Sequence, residues 1–320
     1  MMSSSQGGVN TTPNYYEYDN ASGSYVFEEE YIFFDLVWII LQGIILVICC
    51  IGFVGNGYII WLLGFQIKKN FFTTFILNLA ITDFGYLTCM FIYSMQPFTN
   101  FQGVSIFYRI CAFFLHMTCI NANFLLTAIS IDRCVAVLFP IWHCCSRPKH
   151  LSTNVCVLLW IFSFLLSGSM NIMKVFVNDI LLNIHFLVAA LVCLPLITLS
   201  TAILFFKVRR KSNQKNQSRL LLMIAMTLLC FLILAFPLNV FAVIITFSNI
   251  ESNSDMFWEA GIIMCSCLNS SINPVIYFLV GRKKGAQSKE SMKVILQKVF
   301  KEEETTGGAT EESNRPQGKS

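Results

Sequence analysis

Apolar residues along this chain neither alternate nor recur on a single helical face. They run in long stretches, at roughly 33–63, 71–95, 107–139, 152–173, 183–206, 220–247 and 257–280, each closed by polar or charged residues. A helix rises 1.5 Å per residue, so crossing ~30 Å of hydrocarbon takes roughly 20 residues, and every stretch is long enough. In lipid each backbone N–H and C=O must be satisfied within its own segment, which predicts helices rather than strands. The pattern predicts an all-α membrane protein, a bundle of seven transmembrane helices over residues 33–280. The boundary between the fourth and fifth stretches, around Lys174 to Asp179, is only weakly polar. Residues 1–32 read as a disordered extracellular tail and 302–320 as a disordered cytoplasmic one. Between them, in 281–301, Met292, Ile295, Leu296, Val299 and Phe300 fall at helical spacing, which predicts an amphipathic helix on the cytoplasmic membrane surface.

Composition agrees with a bilayer as solvent: 55% of the 320 residues are hydrophobic and 12% are charged, with a mean hydropathy of +0.64. Seven spans with short loops leave no length for a second folded domain. Charge sets the orientation. Lys68 and Lys69, Arg147 and Lys149, the run from Lys207 to Arg219, and Arg282 to Lys284 all fall on one side, which the positive-inside rule makes cytoplasmic. Glu17, Asp19, Glu28 to Glu30, Glu251, Asp255 and Glu259 fall on the other. The expected location is the plasma membrane, with the N-terminus outside and the first span acting as its own insertion signal. Two glycosylation triplets, at Asn10 and Asn20, lie in the outer tail. The 13 cysteines sit mostly in apolar stretches and read as small buried hydrophobes. Membrane lipids are expected partners, and nucleic acid is not.

Short patterns then fall at corresponding places in successive stretches. They are Gly55-Asn56, Leu79-Ala80-x-x-Asp83, Asp132-Arg133-Cys134, Trp160, Pro195, Pro237 and Asn273-Pro274-Val275-Ile276-Tyr277. In this order and spacing the chain resembles the rhodopsin-like G-protein-coupled receptors. It is similar in particular to the Mas-related receptors through Thr127 to Cys134, Phe139-Pro140-Ile141-Trp142-His143, Arg147-Pro148-Lys149-His150, Tyr277 to Gly281 and the tail Lys289 to Gln297.

The resemblance implies a receptor, not an enzyme. It would bind an extracellular ligand between its outer helix ends and catalyse nucleotide exchange on a heterotrimeric G protein by a change of shape. Arg133 would be the switch, held by Asp132 when inactive and released toward the G protein when active; snorkelling of a long side chain to the interface is the plain alternative. Pro237 would kink the sixth span, and Pro274 would loosen the last one so that Tyr277 moves inward. An ionised carboxylate within a span must face protein or water. The resemblance surrounds Asp83 with Asn56, Asn269, Ser270 and Asn273, a polar core that holds a sodium ion in many relatives; a network that only joins helices is the alternative. Ala122 stands where a serine often completes the sodium shell.

Other departures from the family pattern bear on the switch and the ligand. The Asn216-Gln217 region replaces an acid at the foot of the sixth span, Ile203 a tyrosine of the fifth, and Ala235 a tryptophan two positions before Pro237. These predict a weakly restrained inactive state with ligand-free signalling. Leu115 replaces the aspartate of amine receptors, and Tyr108 the cysteine of the usual outer disulfide. Candidate ligand contacts at the mouth are Arg109, His116, Lys174, Asp179, His185, Glu251, Asp255 and Glu259. An acidic mouth favours cationic ligands, and the resemblance implies peptides or other small basic ligands. Thr305, Thr306, Thr310 and Ser313 are candidate targets for receptor kinases and thereby arrestin. The rival from another class, a channel or transporter, lacks an internal repeat or a series of like charges lining the spans. A ligandless, constitutively active or partner-modulating receptor-like protein is the second alternative.

Overall fold

The computed structural model describes residues 17–98, 105–148, 150–176, 188–210, 217–248, 255–281, 293–294 and 296–297. The long helices are α1 (Glu17–Trp61), α2 (Phe71–Ser94), α3 (Ser105–Leu138), α4 (Leu151–Phe176), α5 (Leu194–Arg210), α6 (Gln217–Ser248) and α7 (Asp255–Gly281). Among the described residues there is no strand, as the run lengths predict. Five segments, Leu36–Gln66, Phe71–Ser94, Ile106–Leu138, Leu151–Ile172 and Ala260–Val280, are long and apolar enough to cross a membrane; α5 and α6 contribute shorter described apolar stretches, Leu191–Lys207 and Leu221–Ala235. The chain is a multi-pass membrane protein with the seven-helix architecture.

Residues 1–43 and 44–320 form two units. In the first, the described part is helical from Glu17, so α1 begins inside the segment expected to be a tail. Phe33, Leu36, Ile39 and Ile40 are exposed there.

In the second unit α2 packs on α3 and α4, α3 on α4 and α5, α6 on α5 and α7, and α7 on α2. The larger core cluster joins Ile59, Phe72, Leu79, Leu125, Ile129, Ile197, Leu228 and Tyr277. The outward faces are apolar too: Val54, Leu158, Leu165, Leu199 and Leu279 are all more than half exposed. Water would penalise such a surface, whereas lipid does not.

Helix ends follow local chemistry. Asn70 caps α2: its Oδ1 accepts from the Thr73 N–H at 2.7 Å, and its own N–H donates to Thr73 Oγ1 at 2.7 Å, a reciprocal capping box. Just before Pro195 the chain widens into a π turn, Ala189–Cys193, which absorbs the hydrogen bond that a proline cannot make. Two more π turns, Leu62–Gln66 and Trp142–Ser146, follow α1 and α3.

The segment expected to lie on the membrane as 281–301 is described only at Lys293, Val294, Leu296 and Gln297, all helical. There Leu296 is 1% exposed and belongs to the protein core, while Lys293 Nζ donates to Gln66 Oε1 at 2.8 Å. Leu296 thus packs on the bundle, a contact that spacing alone does not distinguish from burial in lipid. Residues 302–320 lie outside the described residues.

Candidate functional site

Halfway through the bundle, Pro274 sits inside α7 and has no N–H to offer the carbonyl four residues earlier, at Ser270. Asn56 supplies the missing donor from α1, its Nδ2 reaching Ser270 O at 2.9 Å and Gly52 O at 3.0 Å. Ser271 Oγ donates back to Ile48 O at 3.2 Å. Such close approach needs small residues. A Cβ on Gly52 would overlap the Ser271 side chain, and one on Gly55 would lie 3.1 Å from Pro274. These contacts explain why Gly55-Asn56 and Asn273-Pro274 occur in one chain.

Asp83 is buried in α2. Asn273 Nδ2 donates to its Oδ2 at 2.8 Å, whereas Oδ1 has no hydrogen-bond partner. Asn269 and Ser270 line a nearby cavity of about 50 Å3, together with Tyr86, Cys119, Ala122, Asn123 and Ala235. That volume admits several waters. Of the residues grouped around Asp83, the structure brings Asn273 directly to the carboxylate, while Asn56 spends its amide on the Pro274 gap. A second polar ladder was not singled out from the sequence: Asn121 Nδ2 donates to Thr82 Oγ1 at 2.8 Å, and Ser163 Oγ to Asn121 Oδ1 at 3.4 Å. Trp160 Nε1 also donates to Asn78 Oδ1, at 3.0 Å, joining α4 to α2.

At the C-terminal end of α3 the chemistry is charged. Arg133 binds Asp132 Oδ2 through Nη2 at 2.5 Å and Nε at 3.1 Å. Its guanidinium lies over the Phe72 ring, 4.4 Å from the centroid, and the side chain is 3% exposed. A snorkelling arginine would have its head in water; this one is held inward. The other carboxylate oxygen, Oδ1, belongs to Arg147, whose Nη1 stands 2.7 Å away. Arg147 also donates from Nη2 to Ser152 Oγ at 2.7 Å, contacts His143 Nε2 at 2.5 Å, and stacks on Phe71 at 4.7 Å. The Asn70 cap therefore presents Phe71 and Phe72, the first two residues of α2, to the two arginines.

Arg147 and His143 are functional candidates that in the sequence stand only within the motifs of the resemblance and, for Arg147, among the basic residues of one side. The available signal was Arg147-Pro148: the residue before a proline is biased to extended backbone, and Arg147 has φ −76° and ψ 128°, which turns it away from the preceding helix. Ile203, which replaces a family tyrosine, is half-buried against the core.

Tyr277 is buried, 3% exposed, and Pro237 lies within the span of α6. At the outer end Arg109 is exposed and His116 half-buried on α3. Lys174 lies on α4, Asp255 and Glu259 on α7, and Asn20 on α1, with side chains outside the description; Asn10, Asp179, His185 and Glu251 lie outside the described residues. The outer candidates are thus not assembled into a described pocket.

Residues 55–277 match the family described as "7 transmembrane receptor (rhodopsin family)". The chain is 36% identical over 282 residues to "Proto-oncogene Mas" of Rattus norvegicus, covering 82% of this chain and 84% of that one. It is 34% identical to "Mas-related G-protein coupled receptor member D" of Macaca fascicularis, over 85% of this chain and 88% of that one. Identity to "Mas-related G-protein coupled receptor member H" of Rattus norvegicus is 36%, over 81% and 83%. The Asp132–Arg133 pair and the Asn56–Ser270 hydrogen bond stand within this match, and the chain belongs to the rhodopsin family of seven-transmembrane receptors, in its Mas and Mas-related branch.

Proposed function

We propose that this receptor sits in the plasma membrane with its N-terminus and its glycosylation sites Asn10 and Asn20 outside, binds an extracellular peptide or small basic ligand, and activates heterotrimeric G proteins. The observation that carries the reading is Arg133: a buried guanidinium at the cytoplasmic end of α3, paired with Asp132 and stacked on Phe72. A switch needs two states separated by a modest free energy, and an arginine paired with the carboxylate next to it in the chain supports that reading. Ligand contacts at the outer helix ends would shift α6 and α7, where Pro237 and Pro274 interrupt the hydrogen-bond ladder. Motion of Tyr277 then joins the released Arg133 in receiving the G protein. The acidic mouth, with Glu251, Asp255 and Glu259, supports a cationic ligand, and Thr305, Thr306, Thr310 and Ser313 would recruit arrestin after phosphorylation by receptor kinases.

A sodium ion fits the chemistry at Asp83. The buried oxygen Oδ1 has no partner in the protein, and Asn269 and Ser270 stand on the wall of the neighbouring cavity, although Ala122 contributes no oxygen. When bound, the ion would neutralise the carboxylate. Asn273 keeps Oδ2 engaged and leaves Oδ1 unpaired.

The test is G-protein dissociation in cells expressing the wild type or Arg133→Ala at matched surface level, screened against basic peptides and small amines. A response that needs Arg133 supports the reading. Identical output from both versions and from untransfected cells, under every ligand, would leave only the architecture standing.

A further inference from the structure

Asp132 is shared between two arginines, one on each oxygen. Arg133 continues α3, whereas Arg147 follows the π turn Trp142–Ser146 and stands just before α4. If Arg133 swung away from a carboxylate that had no other cation, it would leave a buried charge uncompensated, the most unfavourable outcome for such a pair. Arg147 removes that obstacle. Its position is fixed independently of Arg133 by Ser152, the His143 ring, the Phe71 face and the extended backbone before Pro148, so it stays in place when Arg133 moves. Its Nε is buried without a hydrogen-bond partner. It is a donor in reserve for the oxygen that Arg133 vacates, which would convert a single contact into a two-pronged one.

We propose that Arg147 is a positioning residue that takes over Asp132 as Arg133 leaves, and thereby sets how readily the receptor signals without ligand; this rests on the assignment of Arg133 as the switch. The charge of Arg147 acts through Asp132 and touches neither ligand nor G protein in this role. A plain structural clamp on the loop would behave differently. It would matter whether or not Asp132 carried a charge, and removing it would loosen the end of the bundle.

The experiment compares ligand-free G-protein dissociation at matched surface expression for the wild type, Arg147→Gln, Arg147→Lys, Asp132→Asn and the double variant Asp132→Asn with Arg147→Gln. Arg147→Gln is expected to lower the basal signal at least about fivefold, the lower end of the usual range for coupling between sites. Arg147→Lys retains only part of it, because an ammonium keeps the charge beside Oδ1 but lacks the fork that takes up the oxygen Arg133 vacates. With Asp132→Asn the basal signal rises, and adding Arg147→Gln changes it no further, since the carboxylate through which Arg147 acts has gone. The proposal is overturned by an unchanged or raised signal in Arg147→Gln, by an equal loss in the Asp132→Asn background, or by a silent wild type beside an active Asp132→Asn. Failure of the receptor reading is distinguishable from all of these: every version, Asp132→Asn included, would match untransfected cells with and without ligand.

Discussion

Two carboxylates are enclosed by this bundle, and their surroundings are opposite. Asp132 is over-supplied, with an arginine on each oxygen and His143 at 3.6 Å. Asp83 is under-supplied: Asn273 takes one oxygen, and the other has no protein partner. The difference teaches what each place can do. A carboxylate with two cations keeps one of them if the other moves, which is the arrangement the proposed switch requires. At Asp83 one carboxylate oxygen has no hydrogen-bond partner, and an unpaired buried acceptor of that kind is costly unless water or a cation meets it.

The comparison breaks most visibly if both arginines are removed. Arg133→Ala together with Arg147→Gln leaves Asp132 buried with no arginine, and thermal denaturation of the purified receptor in detergent should show a loss of about 3–5 kcal/mol. If stability is unchanged, Asp132 is solvated and the over-supply is incidental. The contact that joins the mid-bundle region to α1 is next. Gly52→Val drives a side chain into Ser271 and should destabilise by about 1–3 kcal/mol on the same measurement, whereas Gly261→Ala, with nothing within 4 Å of the added carbon, serves as the silent control. Asn56→Leu leaves Ser270 O facing Pro274 without a donor, at a cost of about 1–3 kcal/mol.

The under-supply at Asp83 is sharpened by titrating sodium against agonist affinity. A sodium-dependent affinity in the wild type that vanishes in Asp83→Asn supports an ion at Oδ1; a wild type indifferent to sodium leaves water as the occupant and the network as helix glue. The smallest expected effect is Trp160→Phe, which keeps the ring but removes the bond to Asn78. It should cost about 0.5–1.5 kcal/mol.

Much of this was legible in the order of residues. Run length alone predicted the helices, because a bilayer demands that each segment satisfy its own backbone, and the ends of α2 and α3 fall within a residue or two of the expected ones. The start of α1 at Glu17 was missed, since a polar helix carries no hydrophobic run to announce it. Asp132, Arg133, Asp83 and Asn273 were identifiable as charged or amide groups where lipid forbids them to be idle. Arg147 was not: by position it is one of several basic loop residues, and only the turn before Pro148 reveals which way it faces. Asn56 was grouped with Asp83, yet its amide serves the carbonyl orphaned by Pro274.

By itself, then, the sequence determined the solvent and the helical, multi-span architecture, because these follow from local composition and from the cost of exposing polar groups to hydrocarbon. Which oxygen of Asp132 each arginine holds, which donor repairs the proline gap, and where Leu296 is buried were decided only by tertiary structure. Those outcomes depend on side chains as much as 227 positions apart, Lys293 and Gln66 among them, meeting within about 3 Å. No local pattern encodes a distance of that kind.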